Sequence, residues 1–221
     1  HRQSSAASDV YKRQVISSGG YMVSQVIRNG GIHYNLDIHS KNPLKWPKIR
    51  NELKIILENE NVDLLHFCSR APAWIGMPLG NLLHIPIITS VHMRFRKTNI
   101  FKKYYNSILT KGNCIIAISK HIEVCVKNSF PNVSDKIKII QRGVDLDLFN
   151  PSQINPARII AQSKLLNLKD NLPVIIMAAR PAMWKGYVVL IKALSKIKHD
   201  FQCVLIGAGD GSQKFQNILI K

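Results

Sequence analysis

The chain has 221 residues, 46% of them hydrophobic, and 31 Lys and Arg against 13 Asp and Glu give it a formal net charge of +18. That length suffices for one large or two small domains with a proper core, and the lack of an uninterrupted apolar run of about 18 residues argues against a transmembrane helix. The charge favours an anionic partner, whether nucleic acid, anionic lipid or a phosphorylated substrate.

Residues 1–14 (HRQSSAASDVYKRQ) lack a start Met and any periodicity, and they read as an extraneous tail outside the fold. Val15 and Ile16 read as the stub of a strand, and the small residues at 17–20 suit a tight strand-to-helix turn. Helical spacing of Met22, Val23, Val26 and Ile27 predicts a helix over 21–29, ended by Gly30 and Gly31. A strand is expected at 32–38. A helix at 43–60 follows, its buried stripe formed by Ile49, Leu53, Ile56 and Leu57. Strands at 62–67 and 86–91 flank an apolar helix at 71–83, with Pro72 in its first turn where proline costs little. A polar loop at 95–98, a helix at 99–110, a strand at 114–118, a helix at 120–128 and a strand at 137–140 come next. Residues 141–151 (QRGVDLDLFNP) read as a loop with a boundary near Asn150 and Pro151. Beyond it lie a helix at 157–168, a strand starting at Pro173, a helix at 186–198, a strand at 201–206 and a turn at 207–211. Strand and helix alternate throughout, which predicts parallel sheets covered by helices, in two units.

The stretch PVIIMAARPAMWKG (173–186) is the most informative. A short apolar run bounded by turn residues is what a doubly covered parallel strand looks like. Arg180 and Lys185 would then sit at its carboxyl end, where open α/β sheets bind ligands. Arg offers a planar fork and Lys a compact charge, both suited to phosphate oxygens. The spacing is equally compatible with two solvated surface cations. The four cysteines (Cys68, Cys114, Cys125, Cys203) are scattered with no C-x-x-C pair. Buried free thiols in a reducing cytoplasm are expected, rather than zinc or disulfides.

Five segments resemble motifs of a bacterial branch of glycosyltransferase family 4, in the family's order. DLLHFCSRAPAWIG (63–76) is similar to its D-x-x-H-x-x-S-R-A-P-A-W stretch, TSVHMR (89–94) to its T-x-H segment, and IIAISKHI (115–122) to its V-I-A-x-S segment. IIQRGVDLDLFNP (139–151) resembles the connection between the family's two domains. AARPAMWKGYVVLIKAL (178–194) resembles the G-R-x-x-x-x-K-G motif that opens its donor domain.

The resemblance implies an α/β fold of GT-B type, with two Rossmann-like parallel-sheet domains, the second incomplete. An acceptor-side domain would span 15–150, and 151–221 would hold a linker helix and the start of a nucleotide-sugar donor domain. It also implies a retaining transferase that takes a nucleoside-diphosphate sugar, needs no metal or other cofactor, and serves an envelope glycan or lipopolysaccharide-type acceptor. Such an enzyme would be cytoplasmic, with possible peripheral contact with anionic membrane and no nucleic acid. Matched residue by residue, Arg180 and Lys185 stand for the diphosphate-binding pair, and His92 for the histidine facing the donor sugar, the catalytic candidate. Gly143, Ser119 and Gly207 would line the cleft. Arg70 would start a helix or touch acceptor, His66 would cap a strand, and Trp184 would pack on the surface. The family's glycine-rich loop would lie upstream of Val15 and its E-x7-E segment beyond Lys221, so weak or absent activity is expected of residues 15–221. A nucleotide-sugar epimerase or glycogen-type synthase on the same scaffold is the alternative enzyme. A nucleic-acid module has only the charge in its favour, since the cations are dispersed and no binding signature is present.

Overall fold

The computed structural model describes residues 13–95 and 99–207, apart from the side chain of Met183. The chain divides into two compact units, His1–Asp145 and Leu146–Lys221, a division a few residues before the Asn150–Pro151 loop break.

In the first unit, β1 (Gln14–Ser17) pairs in parallel with β2 (Ile32–Asn35), and α1 (Val23–Arg28) connects them. Gln14 belongs to the tail by its sequence, but it is the first rung of β1, opposite Ile32, and its amide donates to Glu60 Oε2 at 2.7 Å. A polar residue at a strand start is satisfied by the ladder and by a neighbouring carboxylate, neither of which periodicity reports. The rest of the predicted tail, up to residue 12, lies outside the described residues.

A four-stranded parallel sheet follows, in the order β3 (Leu65–Phe67), β4 (Ile87–Val91), β5 (Cys114–Ala117), β6 (Ile137–Ile139). The sequential order means that each crossover carries the chain one strand along. The helices between these strands are α3 (Arg70–Leu82), α4 (Ile100–Ser107) and α5 (Lys120–Ser129), with α2 (Trp46–Asn59) preceding β3. Their starts follow side-chain chemistry: Asn99 accepts from Lys102 N–H, and Ser119 accepts from Ile122 N–H, each satisfying an amide the first turn leaves orphaned. Leu53 and Leu57 of α2, Ile75 of α3, Ile87 and Val91 of β4 and Ile115 of β5 form the buried centre.

Helix α3 is held against the sheet by two glycines. A Cβ at Gly76 would come within 2.7 Å of the Phe67 ring, and one at Gly80 within 2.8 Å of Ile87 Cδ1. Pro78 lies inside the same helix. Having no N–H, it leaves the carbonyl four residues back, on Trp74, without its helical donor. Arg50 of α2 fills the vacancy: Nη2 donates to the Trp74 carbonyl at 3.3 Å and Nε to that of Ile75 at 3.0 Å.

The second unit contains α6 (Pro156–Leu165), β7 (Val174–Ala178), α7 (Tyr187–Leu194) and β8 (Gln202–Ile206), with β7 and β8 parallel, Val174 opposite Gln202. Asn155 caps α6 from its side chain and Pro156 occupies the first helical position, the arrangement that leaves no wasted donor. Tyr187 is the largest fully buried side chain here, 2% exposed. The predicted turn lies outside the described residues from residue 208 onward.

Candidate functional site

In the first unit the carboxyl ends of β3 and β4 converge on one cluster. His66 Nε2 lies 2.6 Å from Ser90 Oγ and 3.8 Å from Cys68 Sγ. His92 is the first residue after β4, and its Nδ1 lies 3.1 Å from Nη2 of Arg142, fifty positions later in the chain and just beyond β6. Guanidinium nitrogens only donate. Nδ1 of His92 therefore accepts, the ring is neutral, and its proton sits on Nε2. Burial lowers the His92 pKa below the usual imidazole value, and the charges of Arg142 and His66 add to the effect. Burial also lowers His66 and raises the Cys68 thiol, with Arg142 opposing the rise. The site thus presents an uncharged imidazole as a hydrogen-bond donor, with basic neighbours disfavouring its protonation.

Beside this cluster opens a cavity of about 690 Å³, lined by residues 68–72 and 90–95, by Lys102, Tyr105, Asn106 and Leu109, and by His39 and Lys41. Arg70, the first residue of α3, is fixed there by two contacts. Its Nη1 donates to Asn106 Oδ1 at 2.7 Å, and its guanidinium carbon lies 5.7 Å from the centroid of the Tyr105 ring. Asn106 is itself buried. Trp74, one turn along α3, donates its indole N–H to the Tyr105 carbonyl at 3.1 Å and packs on Tyr104 and Tyr105. The aromatic wall and the arginine are therefore one connected structure.

The second unit places Arg180, Lys185 and Gly207 around the bend between β7 and α7. Ala179 continues the ladder, its N–H donating to the Ile206 carbonyl at 2.8 Å, while its own carbonyl accepts from the Tyr187 hydroxyl. A Cβ on Gly207 would lie 2.0 Å from the same carbonyl oxygen, so the residue after β8 must be glycine for the two strand ends to approach. Gly186 has φ +87°, a left-handed conformation that only glycine adopts without strain, and it lets the chain turn into α7. Arg180 and Lys185 are both exposed, and among the described residues no carboxylate pairs with either. Lys185 Nζ sits 4.4 Å from the Trp184 ring centroid, with Trp184 itself exposed on the surface.

The remaining predicted positions are plainer. Ser119 is the amino-terminal cap of α5 and is not among the cavity residues. Gly143 has open space around it and an ordinary φ; the neighbouring Arg142 makes the contact. His66 is the middle residue of β3 rather than a cap on it, and it partners Ser90. Sequence reasoning misses Arg142, Ser90 and Tyr187 as functional residues. Of these only Arg142 carries a sequence signal, standing where the family connection has Asn or Arg.

Among the described residues no three His, Cys, Asp or Glu side chains gather as a metal site would require, and no helix is long and apolar enough to cross a membrane. A glycosyltransferase from Rickettsia africae matches in structure over 95% of this chain and 56% of its own, with 33% identity and a TM-score of 0.82. HepE from Anabaena, crystallised with UDP and glucose, matches over 94% of this chain and 56% of its own at 16% identity, with a TM-score of 0.77. An uncharacterized glycosyltransferase of Methanocaldococcus jannaschii is 26% identical over 171 residues, 70% of this chain and 42% of that protein. The chain thus spans about half the length of the relatives it matches. Its fold is of the GT-B type. The model of Glycosyltransferase Family 4 matches residues 14–148, and with the cluster at the ends of β3 and β4 lying inside that span, the chain belongs to glycosyltransferase family 4.

Proposed function

We propose that this chain is part of a retaining glycosyltransferase that moves a sugar from a nucleoside-diphosphate sugar to an envelope glycan or lipopolysaccharide-type acceptor. The observation that carries the donor half is the bend at the carboxyl end of β7. There Arg180 and Lys185 stand exposed with no carboxylate partner among the described residues, on a backbone clamped by Tyr187 and Gly207. Departure of a nucleoside diphosphate develops negative charge, and preorganised cations stabilise it in the transition state without a metal. The Anabaena relative's crystals with UDP and UDP-glucose support that donor class. His92 joins the reading as a group that donates from Nε2 to a sugar oxygen, a role its contact with Arg142 favours over that of a general base.

The protein would work in the cytoplasm, at the inner face of the membrane. Exposed Ile100, Phe101 and Tyr104 on α4 beside Lys102 and Lys103, together with the +18 charge, support peripheral contact with anionic lipid. Nucleic acid is not a partner in this reading. Calorimetric titration with UDP tests the donor site. Losing a hydrogen bond to a charged group costs about 1.5–3 kcal/mol, so Arg180→Ala and Lys185→Ala should each weaken UDP by about ten- to a hundred-fold. Unchanged affinity in both variants would remove these residues from the diphosphate site.

A further inference from the structure

The cavity beside His92 has an electrostatic character that the transferase reading does not require. Six of its lining residues are basic side chains: Lys41, Arg70, Arg94, Lys102, His39 and His92. None of its lining residues is Asp or Glu. A cavity that received a neutral glycan would be expected to mix acceptors with donors, because sugar hydroxyls both give and take hydrogen bonds, and carboxylates are the strongest acceptors available. This wall offers four cationic side chains and no carboxylate; of its neutral polar groups, Ser90 is bonded to His66 and Asn106 Oδ1 to Arg70.

Arg70 is exposed, yet its guanidinium is anchored rather than free. Its bond to the buried Asn106 and its stacking over Tyr105 use one edge and one face of the guanidinium. A planar fork held in this way has already lost much of its rotamer freedom, which lowers the entropy cost of gripping a tetrahedral oxyanion. The one carboxylate close by in sequence, Asp37, lies 2.9 Å from His39 Nδ1 and is not a lining residue.

We propose that this cavity binds a phosphate group carried by the acceptor, so that the acceptor is a phosphorylated sugar or a lipid that presents a phosphate. The inference depends on the transferase reading only in naming the ligand an acceptor; the phosphate site itself stands on the cavity. Lys102 and Arg94 supply exposed charge and Arg70 supplies the fixed fork, while His92 Nε2–H is left to the donor sugar. Tyr105 and the apolar stem of the wall would take the non-phosphate portion.

The test is an amide-shift titration of the whole chain by NMR, following residues 69–71 and 92–94, with three ligands: glucose, glucose 1-phosphate, and a water-soluble short-chain phosphatidic acid. The expected result is that at least one phosphate ligand shifts these amides while glucose does not. Lys102→Ala and Arg94→Ala should each weaken the binding by about ten-fold. Neither residue is asked to hold the core together, so both variants should fold; Arg70→Lys, which keeps the charge and loses the fork, should weaken it as well. Binding of glucose 1-phosphate alone identifies a sugar phosphate, and binding of the short-chain lipid alone identifies a lipid phosphate. Equal shifts with glucose, or phosphate affinity unchanged in both Lys102→Ala and Arg94→Ala, would overturn the proposal. A UDP titration on the same samples separates the two claims. UDP lost through Arg180→Ala with no phosphate effect at either Lys102 or Arg94 sinks only this inference, and the reverse pattern sinks only the donor site.

Discussion

Removing the Arg50 side chain should destabilise the first unit through the carbonyl that Pro78 leaves without its helical donor. Pro78 deprives the Trp74 carbonyl of its helical donor, and Arg50 Nη2 supplies one at 3.3 Å, while Nε adds a second bond to Ile75 at 3.0 Å. The Ile75 carbonyl keeps the helical donor its position provides, so most of the loss falls on Trp74. One hydrogen bond from a charged donor is worth about 1.5–3 kcal/mol; the 3.3 Å length and half-buried setting put Arg50→Ala near the low end, at about 2 kcal/mol. For a unit of this size that corresponds to a fall in melting temperature of roughly 6–10 °C. Thermal and urea unfolding would measure it, and a double-mutant cycle with Pro78→Ala isolates the cause. That second substitution restores an N–H aimed at the Trp74 carbonyl, so Arg50→Ala should cost at least about 1 kcal/mol less in that background, a coupling of the size seen for residues sharing one network. An Arg50→Ala cost that is the same in the parent and in the Pro78→Ala background would refute the reasoning, because the arginine would then act through something other than the missing donor.

Two further outcomes are expected. Tyr187→Phe keeps the buried ring but withdraws the hydroxyl from the Ala179 carbonyl; stability measured by urea unfolding should fall by about 1–3 kcal/mol, and UDP should bind more weakly because the bend bearing Arg180 loses its anchor. If UDP affinity stays at the parent value while stability drops, the clamp does not position the arginine. For pH, His92 has a folded pKa below its unfolded value, so the unfolded chain binds the extra proton first and stability declines as pH falls from about 6.5 through the lowered folded pKa. Melting temperatures between about pH 7.5 and 5 should therefore drop more steeply for the parent than for His92→Gln, and 15N shifts of the ring should show the proton on Nε2 at neutral pH. Coincident pH slopes, or a ring protonated on Nδ1, would contradict the Arg142 contact.

Much of the fold is readable because its local signals are strong and short-ranged. Pro173 and the bend at Ala179 bracket Val174–Ala178. Asn99, Ser119 and Asn155 each cap the helix that periodicity places next to them. Where strands are shorter than expected the cause is tertiary. Residues 62–64 precede β3 without belonging to it, Leu64 being exposed, because pairing with β4 starts only at Leu65 opposite Ile87. The site is legible only in part. His92, Arg180 and Lys185 fall at strand ends that the alternation of elements fixes. Arg142, by contrast, reaches His92 only because β6 ends beside β5 and β5 beside β4, a proximity with no trace in spacing along the chain. The motif draws attention to Gly143, yet its neighbour is the one in contact. Ser90 is hidden in the same way: a polar residue near the end of a buried strand reads as a packing exception until His66 is found 2.6 Å away.

The glycines of α3 have an effect on how this cavity could change over time. With Gly76 seated on Phe67 and Gly80 on Ile87 there is no slack between helix and sheet, so the floor formed by residues 69–72 can neither sink nor rise without rebuilding the core. Met93 and Arg94 on the opposite wall are exposed and lie outside the buried centre. If the cavity takes the acceptor as proposed, side chains at Met93 and Arg94 can be exchanged without disturbing the core, whereas a side chain at Gly76 or Gly80 cannot be added without moving it. Libraries built to redirect acceptor choice should be concentrated on the wall and leave α3 alone.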